Sequence, residues 1–124
     1  MTLRIYLVED HQRIRDQLIP MLHDLPGCRV VGVAESEPDA CTWLKNNPSA
    51  WDLVIADLFL QEGSGLAVLR CCRERAPQQR VVVLTNTPNE SVRQWCQKLG
   101  ADAVFDKSEE LEAFYAFCAS RLTA

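Results

Sequence analysis

Five short apolar runs alternate along the chain with longer stretches whose apolar positions recur every three or four residues. The runs are Leu3-Arg4-Ile5-Tyr6-Leu7-Val8, Cys28 to Ala34, Leu53-Val54-Ile55-Ala56, Val81-Val82-Val83-Leu84 and Ala103-Val104-Phe105. Short, β-prone and bounded by turn residues, they read as strands. The first helix carries Ile14, Leu18, Met21 and Leu22 on one face and ends at Leu25-Pro26-Gly27, and Pro20 is expected to bend it. In the second, Ser36 is the expected N-cap, and Ala40, Trp43 and Leu44 face the sheet until Asn46-Asn47-Pro48. The third runs over Leu66, Leu69 and Cys72 and stops near Ala76-Pro77, and the fourth carries Val92, Cys96 and Leu99 to a left-handed Gly100. Ser108-Glu109-Glu110 predicts a capped start to a last helix with Leu111, Phe114, Tyr115, Cys118 and Leu122 on one face. Phe117 falls off that stripe and is expected to be exposed.

All-apolar strands belong to sheets covered on both faces, and strict alternation of strand and helix makes such a sheet parallel. Right-handed crossovers then favour one α/β architecture at this length, the flavodoxin-like (βα)5 fold with strand order 2-1-3-4-5. One domain over residues 1–124 is expected. Ligands of such folds bind beyond the carboxyl ends of the strands, near the switch point between strands one and three.

Composition narrows the partners. Seventeen acidic residues against thirteen basic ones give a formal charge of -4, and no Lys/Arg run is present to neutralise a phosphate backbone, which argues against direct nucleic-acid binding. No apolar stretch approaches the roughly 20 residues that span a bilayer, and no signal-type segment opens the chain, so no membrane association and a cytoplasmic location are expected. Six cysteines lack metal-binding spacing and read as free, mostly buried thiols. Cys71-Cys72 reads as a pair of helix-packing thiols, since adjacent helix residues face different directions.

The strands end in chemistry. Glu9 and Asp10 follow strand one, Asp57 ends strand three, Thr85 strand four, and Lys107 follows strand five. Three neighbouring carboxylates repel one another, and a hard divalent cation such as Mg²⁺ resolves that conflict. Lys107 and Thr85 supply a positive charge and a hydroxyl donor for a tetrahedral oxyanion attached to Asp57, whose carboxylate can act as a nucleophile toward phosphorus. Gly63-Ser64-Gly65 does not extend to a dinucleotide fingerprint, because Val68 occupies the third glycine position. His11 and His23 read as surface histidines.

In Leu7-Val8-Glu9-Asp10, Val54-Ile55-Ala56-Asp57 with Gly65 beyond it, Val82-Val83-Leu84-Thr85, and Gly100-Ala101-Asp102 through Phe105-Asp106-Lys107-Ser108, the chain resembles the response-regulator receiver domains of two-component signalling. The resemblance covers essentially the whole chain. It implies that Asp57 accepts a phosphoryl group from a histidine kinase or phosphotransfer protein. It also implies that Mg²⁺ is held by Glu9, Asp10, Asp57 and the main-chain carbonyl of Phe59, that Thr85 binds a phosphoryl oxygen, and that Lys107 pairs with the phosphate. Receivers catalyse only their own phosphorylation and dephosphorylation, so no separate enzyme activity is expected. Four positions depart from the pattern. Asn86 replaces the small residue after the switch threonine, Val104 stands where a switch aromatic is usual, Gln61 replaces a common proline, and Phe59 would lie beside the phosphoryl group.

With its end at Ala124 the chain reads as a stand-alone receiver, monomeric or weakly dimeric, signalling through the fourth helix, fifth strand and fifth helix to a downstream protein. A phosphorelay intermediate or phosphate sink is the alternative within the family. Two readings lie outside it. A flavodoxin-like electron carrier is disfavoured by the acidic loop Glu9-Asp10-His11-Gln12, and an aspartyl phosphatase by the absence of a second acid in Asp57-Leu58-Phe59.

Overall fold

Five parallel strands pair in the order β2-β1-β3-β4-β5, where β1 is Leu3–Val8, β2 Cys28–Ala34, β3 Leu53–Asp57, β4 Arg80–Thr85 and β5 Ala103–Asp106. The computed structural model describes residues 2–86 and 88–122, the last by its backbone alone. Each strand leads into a helix: α1 Gln12–Asp24, α2 Glu37–Asn46, α3 Gly65–Cys71, α4 Glu90–Lys98 and α5 Leu111–Leu122. The order and the five β/α units are those expected from the apolar runs. No helix among the described residues is long and apolar enough to cross a membrane.

Strand side chains alternate between two cores. Tyr6, Val8, Val54, Ala56, Val81, Val83 and Val104 pack with Ala40 and Leu44 of α2, Val68 and Leu69 of α3, and Cys96 of α4. Ile5, Leu7, Leu53, Ile55, Val82 and Leu84 pack with Leu18 and Leu22 of α1 and Phe114 and Cys118 of α5. The handedness of the crossovers explains the division: the chain runs outward from β1 to β2, then reverses toward β3, β4 and β5, so α1 lies opposite α2, α3 and α4. Every residue of β3 is buried, the condition of a strand covered on both faces. Trp43 faces the sheet as expected, with its ring stacked on Tyr6 at 4.0 Å.

Helix boundaries follow local chemistry. The Ser36 hydroxyl accepts from the Asp39 amide and caps α2, and Gly100 after α4 takes φ 106°. Ser108 is not the cap of the last helix. The Asp106 carboxylate accepts from the amides of Ser108 and Glu109, closing a separate turn, and α5 begins only at Leu111. Phe117 is half-buried rather than exposed, because its ring meets Phe105 edge-on at 5.9 Å. Tyr115, expected in the core, is half-buried with its hydroxyl against the Met21 sulfur. The Leu122 side chain lies outside the described residues. α3 stops at Cys71, with Cys72 as its C-cap.

The reading of all six cysteines as free thiols is corrected by a Cys41–Cys71 disulfide that joins α2 to α3. Helices packed side by side bring the two residues together across a sequence separation of 30, which local spacing cannot reveal. Cys28, Cys72, Cys96 and Cys118 are free and buried.

Gly65 fixes how α3 meets the end of β3. A Cβ there would collide with the main-chain oxygen of Asp57 and come within 2.8 Å of Leu58 Cα. The same glycine donates its amide to the Leu58 carbonyl at 2.9 Å, and the Ser64 hydroxyl accepts from the Leu66 amide at 3.0 Å. Gly65→Ala is expected to lower stability by about 1–3 kcal/mol, the range for an overpacked core. Urea unfolding reads this as a lower midpoint with unchanged slope. An unchanged midpoint would remove the close-packing argument.

Candidate functional site

The strand registers deliver the polar residues to one rim. Val8 lies opposite Ala56, Asp57 opposite Leu84, and Thr85 opposite Asp106. Glu9, Asp57, Thr85 and Lys107 therefore emerge at nearly the same level from four sequence-distant segments. The Lys107 amide donates to the Thr85 carbonyl at 3.0 Å, which extends the β4–β5 ladder to the lysine itself.

Asp57 and Glu9 are almost wholly enclosed, at 5% and 2% exposure, and Thr85 is fully buried. Lys107 Nζ donates to Glu9 Oε1 at 2.6 Å and lies 3.0 Å from Asp57 Oδ2. The lysine thus already bridges two carboxylates. Burial, and then the charge of Glu9, push the Asp57 carboxyl up to about 6, against the opposing pull of Lys107. One cation does not neutralise the cluster.

Surrounding groups hold the acids in place. Arg15 Nη1 donates to the Glu9 carbonyl at 2.8 Å while its Nη2 pairs with Glu35 at 2.7 Å. The Gln61 amide donates to Asp10 Oδ2 at 2.7 Å, and the Phe59 amide approaches Asp57 Oδ1 at 3.4 Å. His11 is exposed, as expected, but its ring also reaches the acids, with Nδ1 2.9 Å from Asp10 Oδ1 and 3.3 Å from Glu9 Oε2. Arg15, the Gln61 amide and the His11 contacts are invisible to motif reading. An arginine one turn into the helix that follows the acids is the available signal for the first, and main-chain amides leave none.

A cation fits this donor set. One ligand atom each from Glu9, Asp10, His11 and Asp57 lies within 4.8 Å of the others. Asp10 Oδ1 is buried and receives no hydrogen bond of good direction, despite the nearby His11 ring. A lone pair held in this way among carboxylates is the feature a hard oxygen-seeking ion would use.

The four departures from the receiver pattern occupy different surroundings. Asn86 is exposed and, with Lys107, Ile14, Met21 and Tyr115, lines a cleft of about 500 Å³ between α1 and α5. Phe59 is 62% exposed beside Asp57, and Gln61 is exposed in the same loop. Val104 is buried against α4, whereas its neighbour Phe105 packs on Phe114 across the sheet, so neither substitutes for the other. Arg93 of α4 reaches across to donate to the Val104 carbonyl at 2.7 Å and to Glu110 Oε1 at 2.6 Å.

Known proteins share this fold. The family model described as response regulator receiver domain matches residues 5–117. Response regulator UvrY of Escherichia coli is 30% identical over 83 residues, which are 67% of this chain and 37% of UvrY. The chain therefore matches little more than a third of the length of that relative. A two-component response regulator of the LuxR family from Aurantimonas superposes with TM-score 0.80 at 26% identity, over 98% of this chain and 88% of that one. The BeF3-activated DrrB receiver domain superposes with TM-score 0.81 over the whole of both chains, a likeness of fold at 23% identity. With its strand order, its rim of acids and its lysine, the chain belongs to the response regulator receiver domains of two-component signalling.

Proposed function

We propose that Asp57 is the phosphoacceptor of a signalling switch and takes its phosphoryl group from a histidine kinase or phosphotransfer protein. The observation that carries this reading is the enclosed Asp57 carboxylate, held between the Lys107 ammonium and the Glu9–Asp10 pair at the strand ends. A carboxylate oxygen of Asp57 attacks phosphorus, the bond from phosphorus to the donor imidazole nitrogen breaks, and its electron pair stays on that nitrogen. Lys107 lies where the charge moves from carboxylate to phosphoryl oxygens, and the Thr85 hydroxyl donates to one of them. Glu9, Asp10, Asp57 and the Phe59 carbonyl would hold Mg²⁺, which supplies positive charge to the transferring phosphoryl group. The exposed Phe59 ring, two residues beyond the acceptor, would limit attack by water on the acyl phosphate.

On this reading residues 1–124 work as one regulatory unit in the cytoplasm, without turnover of an external substrate. Signal leaves by protein contact through α4, β5 and α5, a surface that Arg93 ties together and on which Trp95 is 55% exposed. A second reading, relay intermediate or phosphate sink, is favoured by Val104: an aliphatic side chain in the core has no ring to turn when Asp57 changes state.

Mass spectrometry after incubation with acetyl phosphate and Mg²⁺ is expected to find one phosphoryl adduct in the wild-type chain and none in Asp57→Asn. An adduct that survives in Asp57→Asn would overturn the assignment. Phe59→Asn is expected to shorten the lifetime of the adduct several-fold, and an unchanged half-life would refute the shielding role. Because the folded carboxyl of Asp57 sits near 6, above its ordinary 3.8, the folded chain binds more protons than the unfolded chain between those values. With a chelator present, stability should therefore fall as pH rises from about 4 to about 6. At pH 7.5 Asp57→Asn should melt several degrees above wild type, the gap closing toward pH 4, and Mg²⁺ should raise the wild-type midpoint far more than that of the variant. A gap independent of pH would exclude Asp57 as the strained group.

A further inference from the structure

The Cys41–Cys71 pair sits apart from the acidic rim and takes no part in phosphoryl transfer. Its two sulfurs come from different helices, with Cα atoms 5.6 Å apart, a separation that a disulfide spans without moving the backbone. Cys71 is exposed and Cys41 half-buried, so solvent reaches the pair from the α3 side. The other four cysteines are buried, and burial pushes Cys72 up to about 11 and Cys118 to about 12, which keeps them protonated and inert. Exposed disulfides are the reducible ones, and in a reducing compartment such bonds are transient and sensing.

The pair is also placed to act on the acceptor loop. Cys41 lies one turn beyond Glu37, whose amide donates to the Glu62 carbonyl at 3.0 Å and whose Oε1 accepts from the Ser64 amide at 2.9 Å. Those two bonds tie the start of α2 to the loop that runs from Asp57 into α3. A bond from Cys41 to the end of α3 closes a second tie on the same unit.

We propose that Cys41 and Cys71 form a reversible thiol–disulfide modification site that locks α2 to α3 and restrains the loop following Asp57, with a low-molecular-weight disulfide as oxidant. The Cys71 sulfur attacks the small disulfide to give a mixed disulfide and one released thiol. Cys41 then attacks the Cys71 sulfur, forms the intramolecular bond and expels the second thiol. The two cysteines lose two electrons and two protons, and the small disulfide gains both as two thiols. This inference does not depend on Asp57 accepting a phosphoryl group, and its readouts do not involve phosphorylation.

The test equilibrates the full chain in buffers of reduced and oxidised glutathione, quenches with acid, alkylates and weighs the product. Wild type should gain and lose two alkylatable thiols reversibly, Cys72→Ser should behave alike, and Cys41→Ser and Cys71→Ser should each abolish the transition. The oxidised chain should melt about 10 °C above the reduced one, the increment for closing a loop of 30 residues in a domain of this size. Amide exchange at Glu37 and Ser64 should accelerate on reduction. A bond that never forms in oxidised glutathione, one that excess thiol cannot open in the folded chain, one that persists in Cys71→Ser, or exchange equal in the two states would each overturn the proposal.

Discussion

Enclosing a carboxylate beside another carboxylate is the constraint on which this domain turns. Asp57 and Glu9 are nearly sealed from solvent, and the Lys107 side chain bridges both. Such a cluster costs free energy and persists only where its surroundings leave the groups no way to separate. The parallel sheet supplies that restraint. Each acid or base leaves the end of a strand whose interior is fixed by packing on both faces, so relaxation at the rim would mean shifting a strand through its core.

The loop after β3 extends the same restraint outward. Its glycine lets α3 press against the main chain of Asp57, its Gln61 amide holds Asp10, and Glu37 of α2 holds its far end. Asp57, the neighbouring candidate metal ligand Asp10 and two helices therefore share a segment of a few residues. A shift of any one of them has to pass through that segment.

Periodicity was enough to read the architecture. Continuous apolar runs and helical spacing mark most of the buried residues, and right-handed crossovers leave few strand orders, of which 2-1-3-4-5 leads at this length. The rim was legible too, because strand ends carry their chemistry in fixed positions: Glu9, Asp10, Asp57, Thr85 and Lys107 needed only the fold to meet. What escaped depends on where side chains point across space. Arg15 and Arg93 bond main-chain carbonyls, Cys41 finds Cys71 because two helices lie side by side, and Phe117 is drawn inward by Phe105. Ser108 does not cap α5 for a related reason: Asp106 accepts from the Ser108 and Glu109 amides and draws this stretch into a turn before the helix begins.

The two cores share a sheet but no side chains. Residues facing α1 and α5 settle the cleft beside Lys107, while residues facing α2, α3 and α4 settle the disulfide, Val104 and the surface around Trp95. Under mutation the sheet acts as a partition: a change of volume in one layer is absorbed by the helices of that layer, leaving the opposite one packed as before. The layer built on α1 and α5 can thus be repacked without disturbing the layer built on α2, α3 and α4. The few residues at the rim, which belong to both, are where drift is least tolerable.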